Sequence, residues 1–215
     1  FYLALALWAT RRRLLRGRWA FVTVVLILAL SLVWNDAAVR VRRPFHVVLA
    51  DVGHGQAAIV ELPGGEVLML DAGSSQAGAG GAVSDMLLGD HVDYISAAVI
   101  SHANTDHCSF LPMLVRRFGV GKVVLPPQTG SSALRDRLGE LLRRRAIPRW
   151  RLHEGDSVTG GGLRCEVLHP DERFAAGGAY SANDSSLVLY CRYRELSFIV
   201  PGDIGAAGIE RLVKS

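Results

Sequence analysis

The stretch that most constrains the fold is a loop at residues 101–107, called here the histidine loop. It reads Ser-His-Ala-Asn-Thr-Asp-His and directly follows the apolar run 95–100. A buried strand that ends in two histidines and an aspartate presents these side chains together on one short loop. Neutral imidazole and carboxylate groups are the usual protein ligands of zinc, manganese and iron. The loop therefore predicts a metal site that contains His102, Asp106 and His107, and the alternative interpretation is a polar turn.

Two further acidic residues stand at the ends of apolar runs. Asp71 follows Leu70 in the sequence Leu-Asp-Ala-Gly, and Asp203 ends the sequence Pro-Gly-Asp. A carboxylate at the end of a buried strand costs free energy unless it is paired or bound to a ligand. One such acid is usually a turn or a cap, but two of them together with the histidine loop favour a common functional site.

Residues 1–34 predict membrane-spanning structure. Residues 1–9 are apolar, residues 10–18 contain five arginines, and residues 19–34 are uncharged and mostly apolar, with tryptophan at both ends. A helix formed by residues 19–34 rises about 24 Å, slightly less than the thickness of a bilayer core. Tryptophan suits the membrane interface and arginine marks the cytoplasmic side. We interpret this region as the end of one transmembrane helix, a cytoplasmic loop and a second transmembrane helix; a cleaved signal peptide is the alternative.

The net charge of +4 is a property of the membrane region. Residues 1–34 hold five of the 24 basic residues and no acidic one, so 19 basic residues face 20 acidic ones in the remainder. The overall charge therefore gives no evidence of a basic nucleic-acid surface. The densest local group comprises residues 143–145 with Arg149 and Arg151. We interpret it as a solvated helix end, and the alternative is a phosphate-binding patch.

The remaining chain alternates predicted strands with predicted helices. Residues 35–44 are interpreted as a linker and residues 45–215 as one domain. The apolar patterns predict strands near residues 45–52, 57–62, 66–70, 94–100, 122–125, 149–152, 163–168, 186–193 and 196–200, and helices near 84–88, 110–118, 131–145 and 206–214. This order predicts an α/β protein with helices outside two packed sheets.

The order and spacing of the candidate site residues resemble the metallo-β-lactamase fold over residues 45–215. A more specific resemblance is to the C-terminal domain of the ComEC family, the multi-pass channel proteins of bacterial DNA uptake. It is carried by a preceding transmembrane helix and by motifs at residues 49–57 (Leu-Ala-Asp-Val-Gly-His-Gly-Gln-Ala), 62–65, 70–73, 183–189 and 198–204. The resemblance implies a metallo-β-lactamase-like αββα sandwich after a transmembrane helix, in a multi-pass plasma-membrane protein whose hydrolase domain is extracytoplasmic.

The resemblance also implies a function. The family's domain is thought to degrade the DNA strand that is not imported, so we expect a metal-dependent DNase. Its expected partners are single-stranded DNA, the membrane and other components of the DNA-uptake machinery.

The resemblance further implies roles for individual residues. Asp203 would bridge two metals, His102 would bind the first, and Asp106 and His107 would bind the second. Asp106 and Asp203 are the expected catalytic residues. The full set of expected metal-site positions is His102, Asn104, Asp106, His107, Asn183 and Asp203. Asp71 is expected to orient a ligand without binding the metal, and His54 either faces the substrate or is a structural turn residue.

Several positions depart from the family pattern. Asn104 stands where His or Asp is usual, Asn183 aligns with a third metal-binding His, and the turn at residues 54–56 lacks an acid. Amides are poor metal ligands, which leaves the site poor in histidine and rich in oxygen. One or two divalent ions are expected, and such a site favours manganese or magnesium over zinc. The same departures support the alternative of a catalytically degenerate binding or scaffold domain at a membrane DNA channel.

Two further residues and the end of the chain bear on the site. His169 either supplies the missing imidazole or is an exposed loop residue. The last His of the second site is expected beyond Ser215, in a part not present, so we expect a C-terminally truncated domain. Of the three cysteines, two can form one disulfide in an extracytoplasmic domain, and the sequence does not determine which two. Cys108 is expected to be a small buried residue at the start of a helix, with a ligand role as the alternative.

Overall fold

The computed structural model describes residues 18–35, 37–38, 43–127, 133–175 and 180–214. The chain divides into two compact units, Phe1–Arg43 and Pro44–Ser215. The predicted first transmembrane segment and most of the arginine-rich loop, residues 1–17, lie outside the described residues. So do residues 131 and 132, the start of the helix predicted near residues 131–145.

The first unit contains helix α1, Arg18–Asn35. Among the described residues it is the one helix that is long and apolar enough to cross a membrane. Its two hydroxyl side chains donate to carbonyls of the same helix, Thr23 to Trp19 and Ser31 to Leu28. Because these polar groups are satisfied within the helix, they do not oppose burial in an apolar medium.

The second unit alternates strands and short helices. Its described strands are β1 His46–Leu49, β2 Gly55–Glu61, β3 Val67–Ser74, β4 Tyr94–Ile95, β5 Ala97–Val99, β6 Gly119–Val120, β7 Val123–Leu125, β8 Arg149–Arg151, β9 Ser157–Gly160, β10 Leu163–His169, β11 Val188–Tyr193 and β12 Leu196–Val200. Its described helices are α2 Ala79–Gly89, α3 Thr105–Cys108, α4 Leu111–Arg117, α5 Ala133–Arg144, α6 Glu172–Ala175 and α7 Ala206–Lys214.

The first sheet has the strand order β1-β2-β3-β5-β7-β8. Strands β1 to β3 are antiparallel, and β3, β5, β7 and β8 pair in parallel. Side chains on one face, such as Met69 and Val123, join the helices in one apolar cluster. Side chains on the other face, such as Leu70 and Val124, join the second sheet in another. The parallel strands end at one edge of the sheet, where ligand sites of α/β folds are found.

The second sheet is antiparallel, in the order β12-β11-β10-β9. Its inward-facing residues alternate along β10 as Leu163, Cys165 and Val167, the period of a strand with one buried face. Cys165 lies opposite Cys191 of β11 and forms a disulfide with it. The predicted α/β sandwich with helices outside two packed sheets, preceded by an apolar helix, is confirmed.

Some predicted elements differ from those observed. The strand predicted at residues 94–100 is divided into β4, which pairs with β6 in a separate two-stranded sheet, and β5 of the main sheet. Strand β3 continues beyond its predicted end through Asp71, whose φ is 57°. Strand β9 was not predicted, since its Ser-Val-Thr-Gly sequence lies beside a run of glycines; among the described strands it pairs with β10.

Candidate metal site

The candidate site lies where β3 and β5 end side by side. Asp71 lies near the end of β3, and the histidine loop follows β5, which pairs with β3 in parallel. The short helix α3 carries Asp106 and His107, and Asp203 follows β12 of the second sheet. Both sheets therefore contribute to one edge of the sandwich.

Two glycines permit the close approach of these segments. A Cβ atom on Gly73 would lie 2.5 Å from the backbone nitrogens of His107 and Cys108, a distance that no side chain allows. Gly202 has a φ of 56°, and a Cβ there would lie 2.6 Å from Cβ of Ser101. Glycine is therefore required at both positions for the histidine loop to meet β3 and the turn that carries Asp203.

Asp71 is a buried carboxylate with three donors around it. It accepts hydrogen bonds from the backbone N–H of Ser101 at 2.6 Å and from its hydroxyl at 2.7 Å. Its Oδ2 lies 2.8 Å from Nδ1 of His107. These contacts offset the cost of burying the charge. The contact to Nδ1 also turns Nε2 of His107 towards Asp203 and Asp106, whose Oδ2 atoms lie 3.3 and 3.9 Å away.

His102 carries a buried nitrogen that has no hydrogen-bond partner. The hydroxyl of Ser101 donates to Asp71, so its oxygen accepts the Nδ1 proton of His102 at 3.0 Å. This leaves a lone pair on Nε2, which is buried and without a partner in the described part of the chain. Ligand atoms of His102, Asp106 and His107 lie within 4.8 Å of one another. A buried imidazole lone pair facing a carboxylate and a second imidazole fits a divalent cation.

The pKa values of the two imidazoles are shifted in opposite directions. Burial, followed by the charge of His107, lowers the pKa of His102, so its ring is neutral at physiological pH. Burial also opposes protonation of His107, but the hydrogen bond and charge of Asp71, with the charges of Asp203 and Asp106, raise its pKa. His102 therefore offers a lone pair without losing a proton, whereas the raised pKa of His107 means that a metal there competes with a proton.

His54 lies on the solvent side of the site. Its side chain is 82% exposed, and Nε2 lies 3.5 Å from Oδ2 of Asp106. Asp203 is 46% exposed, whereas His107 is almost completely buried. The site thus has an imidazole at its buried end and a carboxylate at its accessible rim.

The sequence profile of the Metallo-beta-lactamase superfamily matches residues 50–215, which is more than half of the chain. The chain belongs to this superfamily. Members of the superfamily include hydrolases and bind divalent metals, and the His102, Asp106 and His107 group provides the ligand types for such an ion.

Individual relatives match different fractions of this chain. ComE operon protein 3 of Bacillus subtilis (strain 168) is 25% identical over 122 residues, which is 57% of this chain and 15% of that protein. The chain therefore spans a small part of this relative's length. CmlA from Streptomyces venezuelae, a diiron β-hydroxylase, has a TM-score of 0.50 and 21% identity, covering 80% of this chain and 33% of its own. The metallo-beta-lactamase fold protein YhfI of Bacillus subtilis has a TM-score of 0.48 and 13% identity, covering 74% and 63%.

The side chains of the two asparagines at expected metal positions are hydrogen-bonded to each other. Nδ2 of Asn104 donates to Oδ1 of Asn183 at 2.8 Å, across 79 positions of sequence. The structure thus brings these two expected positions together, as an amide pair that links the histidine loop to the segment before β11.

His169 is buried, so the expectation that it is an exposed loop residue was wrong. Its Nε2 lies 2.7 Å from the backbone oxygen of Asp184, and its ring stands edge-on to Phe174. Burial lowers the pKa of His169. Its contact holds the segment that carries Asn183, and among the described residues His169 is not part of the His/Asp/His group.

Ser101 and Cys108 flank the ligand residues. Ser101 was not predicted as a site residue, although its place between the strand end and the first histidine was a usable signal. Cys108 is buried, as expected, but it ends α3 rather than beginning a helix. Burial raises the pKa of Cys108 to about 12, so it is a thiol at neutral pH and donates to the backbone oxygen of Asn104.

Proposed function

We propose that this protein is a metal-dependent phosphodiesterase that cuts single-stranded DNA and degrades the non-imported strand during bacterial DNA uptake. The observation that carries the proposal is the unpartnered Nε2 of buried His102 beside Asp106, His107 and Asp203. The similarity to ComE operon protein 3 supports the DNA-uptake context.

The residues divide into ligands and groups that position them. His102, Asp106, His107 and Asp203 would hold the metal, with Asp203 at the accessible rim. Once bound, a divalent ion supplies Lewis-acid activation of water and shields phosphate charge. Asp71 holds the ring of His107 in place through Nδ1. His54, exposed beside Asp106, is placed to contact the substrate.

The ligand set favours manganese or magnesium over zinc. The proposed ligands are two imidazoles and two carboxylates, and the amides at the two other expected positions hydrogen-bond to each other instead of adding imidazoles. Oxygen-rich sites select harder cations. Cleavage that is fastest with zinc and absent with manganese would contradict this assignment.

The proposed location is the plasma membrane, with the second unit outside the cytoplasm and with other DNA-uptake components as partners. Helix α1 has the length and composition of a membrane span. The disulfide between Cys165 and Cys191 supports an oxidising compartment, because such bonds are rare in the cytosol.

A degenerate binding or scaffold domain at a DNA channel is the second candidate. The hydrogen bond between Asn104 and Asn183 favours it, because two amides that satisfy each other have less capacity to bind a metal. This candidate predicts DNA binding without cleavage.

The test is cleavage of a labelled single-stranded oligonucleotide by the full chain in detergent, with manganese, magnesium or zinc. Asp106→Ala and Asp203→Ala are each expected to lower the rate at least about 100-fold, as loss of a group that stabilises the transition state does. Asp51→Ala, which removes an exposed acid of the same unit, is the control and should retain activity. Absence of cleavage with every metal, in a folded protein, would contradict the enzyme and favour the binding domain.

A further inference from the structure

A small cavity adjoins the histidine loop on the helix side of the first sheet. Its volume is about 80 Å³, and Ala103 and Cys108 of the loop region line it together with Arg135, Arg149 and Arg151. We call it the arginine cavity after the last three residues. Ala103 and Cys108 are the immediate neighbours of His102 and His107 in sequence, so the arginine cavity adjoins the loop region that carries these candidate ligands.

The edge strand β8 directs two of these arginines to the same side. Arg149 and Arg151 are two positions apart, which places their side chains on one face of the sheet. Their register partners are Val123 and Leu125 of β7. Helix α5 packs over this face, and a Cβ on its Gly139 would lie 3.3 Å from Nη1 of Arg149. The absence of a side chain at Gly139 thus leaves room for the guanidinium group beside the helix.

The charged side chains among the residues that line the arginine cavity are arginines. No carboxylate is among the described residues that line it, and Arg149 and Arg151 form no ion pair within the described part of the chain. Arg143 and Arg144, grouped with them by sequence, instead pair with Glu140 on the exposed side of α5. Arg143 and Arg144 therefore lie at the exposed helix end expected from the sequence, whereas Arg149 and Arg151, which are also exposed, lie on strand β8.

The volume limits the ligand to a small group. A cavity of about 80 Å³ exceeds the roughly 30 Å³ that one water occupies, and it is far below the 300 to 1,000 Å³ of typical small-molecule sites. It suits a single anionic group and excludes a whole nucleotide. Arginine is the side chain best suited to bind phosphate oxygens in pairs.

We propose that the arginine cavity binds one phosphate of a polynucleotide strand whose neighbouring phosphodiester lies at the metal site. The inference rests on the proposed function and specifies its substrate as a polymer rather than a lone phosphodiester. It also explains how a unit of nearly neutral net charge holds a polyanion, since two unpaired arginines concentrate positive charge beside the metal ligands.

The test is fluorescence anisotropy of a labelled oligothymidylate with the full chain in detergent and EDTA, so that no metal contributes. Arg149→Gln with Arg151→Gln is expected to weaken binding about tenfold and to lower the slope of log affinity against log salt by about 0.7, the value for one phosphate contact on a single strand. Arg143→Gln with Arg144→Gln removes the same charge from the same region and is the matched control. It should change affinity less than twofold, and both variants should keep the wild-type thermal unfolding midpoint because these side chains are exposed.

The outcomes separate this inference from the proposed function. Equal weakening by both double variants, or no weakening by the first, overturns the arginine cavity as a phosphate site even if the wild type cuts DNA. Selective weakening in EDTA supports it even if no metal produces cleavage. Binding of inorganic phosphate through Arg149 and Arg151, with unchanged oligonucleotide affinity, assigns the cavity to a free anion and also overturns the proposal.

Discussion

Asp71 is the residue on which the geometry of the candidate site depends. It adopts a φ of 57° within β3. Its carboxylate accepts hydrogen bonds from the backbone N–H and the hydroxyl of Ser101 and contacts Nδ1 of His107. A left-handed backbone is unfavourable for most non-glycine residues, so the surrounding contacts must hold it. Asp71 joins the end of β3 to the histidine loop and thereby fixes the directions of both imidazoles.

Replacement of Asp71 by Asn is expected to weaken divalent-metal binding about 10- to 100-fold, because an orienting partner of a ligand is lost. Where His107 is protonated, the replacement should also lower the free energy of unfolding by about 3 kcal/mol, since a buried ionic contact is then broken. Isothermal titration with manganese and urea denaturation measure the two effects. Asp51→Asn, at an exposed position, should change neither, and unaltered metal affinity in Asp71→Asn would contradict the orienting role.

The residues of the site differ in how far the sequence alone could predict them. His102, Asp106 and His107 lie within six positions, so a local pattern was enough. Asp203 was a candidate because it ends an apolar run, but its expected role as a metal bridge required a resemblance over the whole domain, because it approaches the loop through the packing of two sheets. The need for glycine at position 73 could not be read locally, because it arises from the backbone of α3 lying against β3.

At the scale of elements, Asp171 joins three segments. Its Oδ1 accepts the backbone N–H groups of Arg173 and Phe174 at the start of α6. Its Oδ2 accepts a hydrogen bond from Nε of Arg211 in α7 at 3.0 Å, and Arg211 also donates a hydrogen bond to Glu154. Helix α7 follows the turn that carries Asp203, so this contact anchors the helix that succeeds a site residue.

Replacement of Asp171 by Ala is expected to lower the free energy of unfolding by about 1 to 3 kcal/mol near neutral pH, through loss of a helix cap and a charged hydrogen bond. Burial opposes ionisation of Asp171, but the hydrogen bonds from Phe174, Arg211 and Arg173 lower its pKa. A lowered carboxyl pKa stabilises the fold above the unfolded value of about 3.9 and stops doing so as pH falls through the folded value. The deficit should therefore shrink below about pH 4.

Urea denaturation of Asp171→Ala and wild type at about pH 7 and about pH 3 measures this change. Asp85→Ala removes an exposed acid whose ion pair with Arg117 spans 3.6 Å, and it should cost less than about 0.5 kcal/mol at either pH. A deficit of Asp171→Ala that is equal at both pH values would contradict the assigned electrostatic contribution.

Apolar patterns predicted most elements of the second unit because most of them bury apolar side chains in one of the two clusters. They failed where pairing rather than pattern decides the structure. Residues 94–100 form one apolar run, yet β4 and β5 belong to different sheets because β6 is available as a second partner. The disulfide was likewise undetermined by sequence, because it depends on the register that places Cys165 opposite Cys191.

At the scale of the whole molecule, a membrane-type helix precedes a sandwich whose edge gathers the candidate metal ligands. The net charge of the chain concealed the arrangement of charge, because the arginines of the first unit dominate it. Within the second unit, positive charge lies at the arginine cavity and negative charge lies at the candidate metal site. This arrangement suits a polymer that places one phosphate at the cation site and the neighbouring phosphate at a pair of guanidinium groups.

The most direct test of the central claim is the rate of oligonucleotide cleavage by the full chain as a function of manganese bound per chain. The proposed function predicts a rate that rises in proportion to bound metal. It also predicts that Asp203→Ala loses cleavage at metal concentrations that saturate the wild type. A chain that binds manganese and the oligonucleotide together and leaves the strand intact would contradict the claim and assign the site to binding.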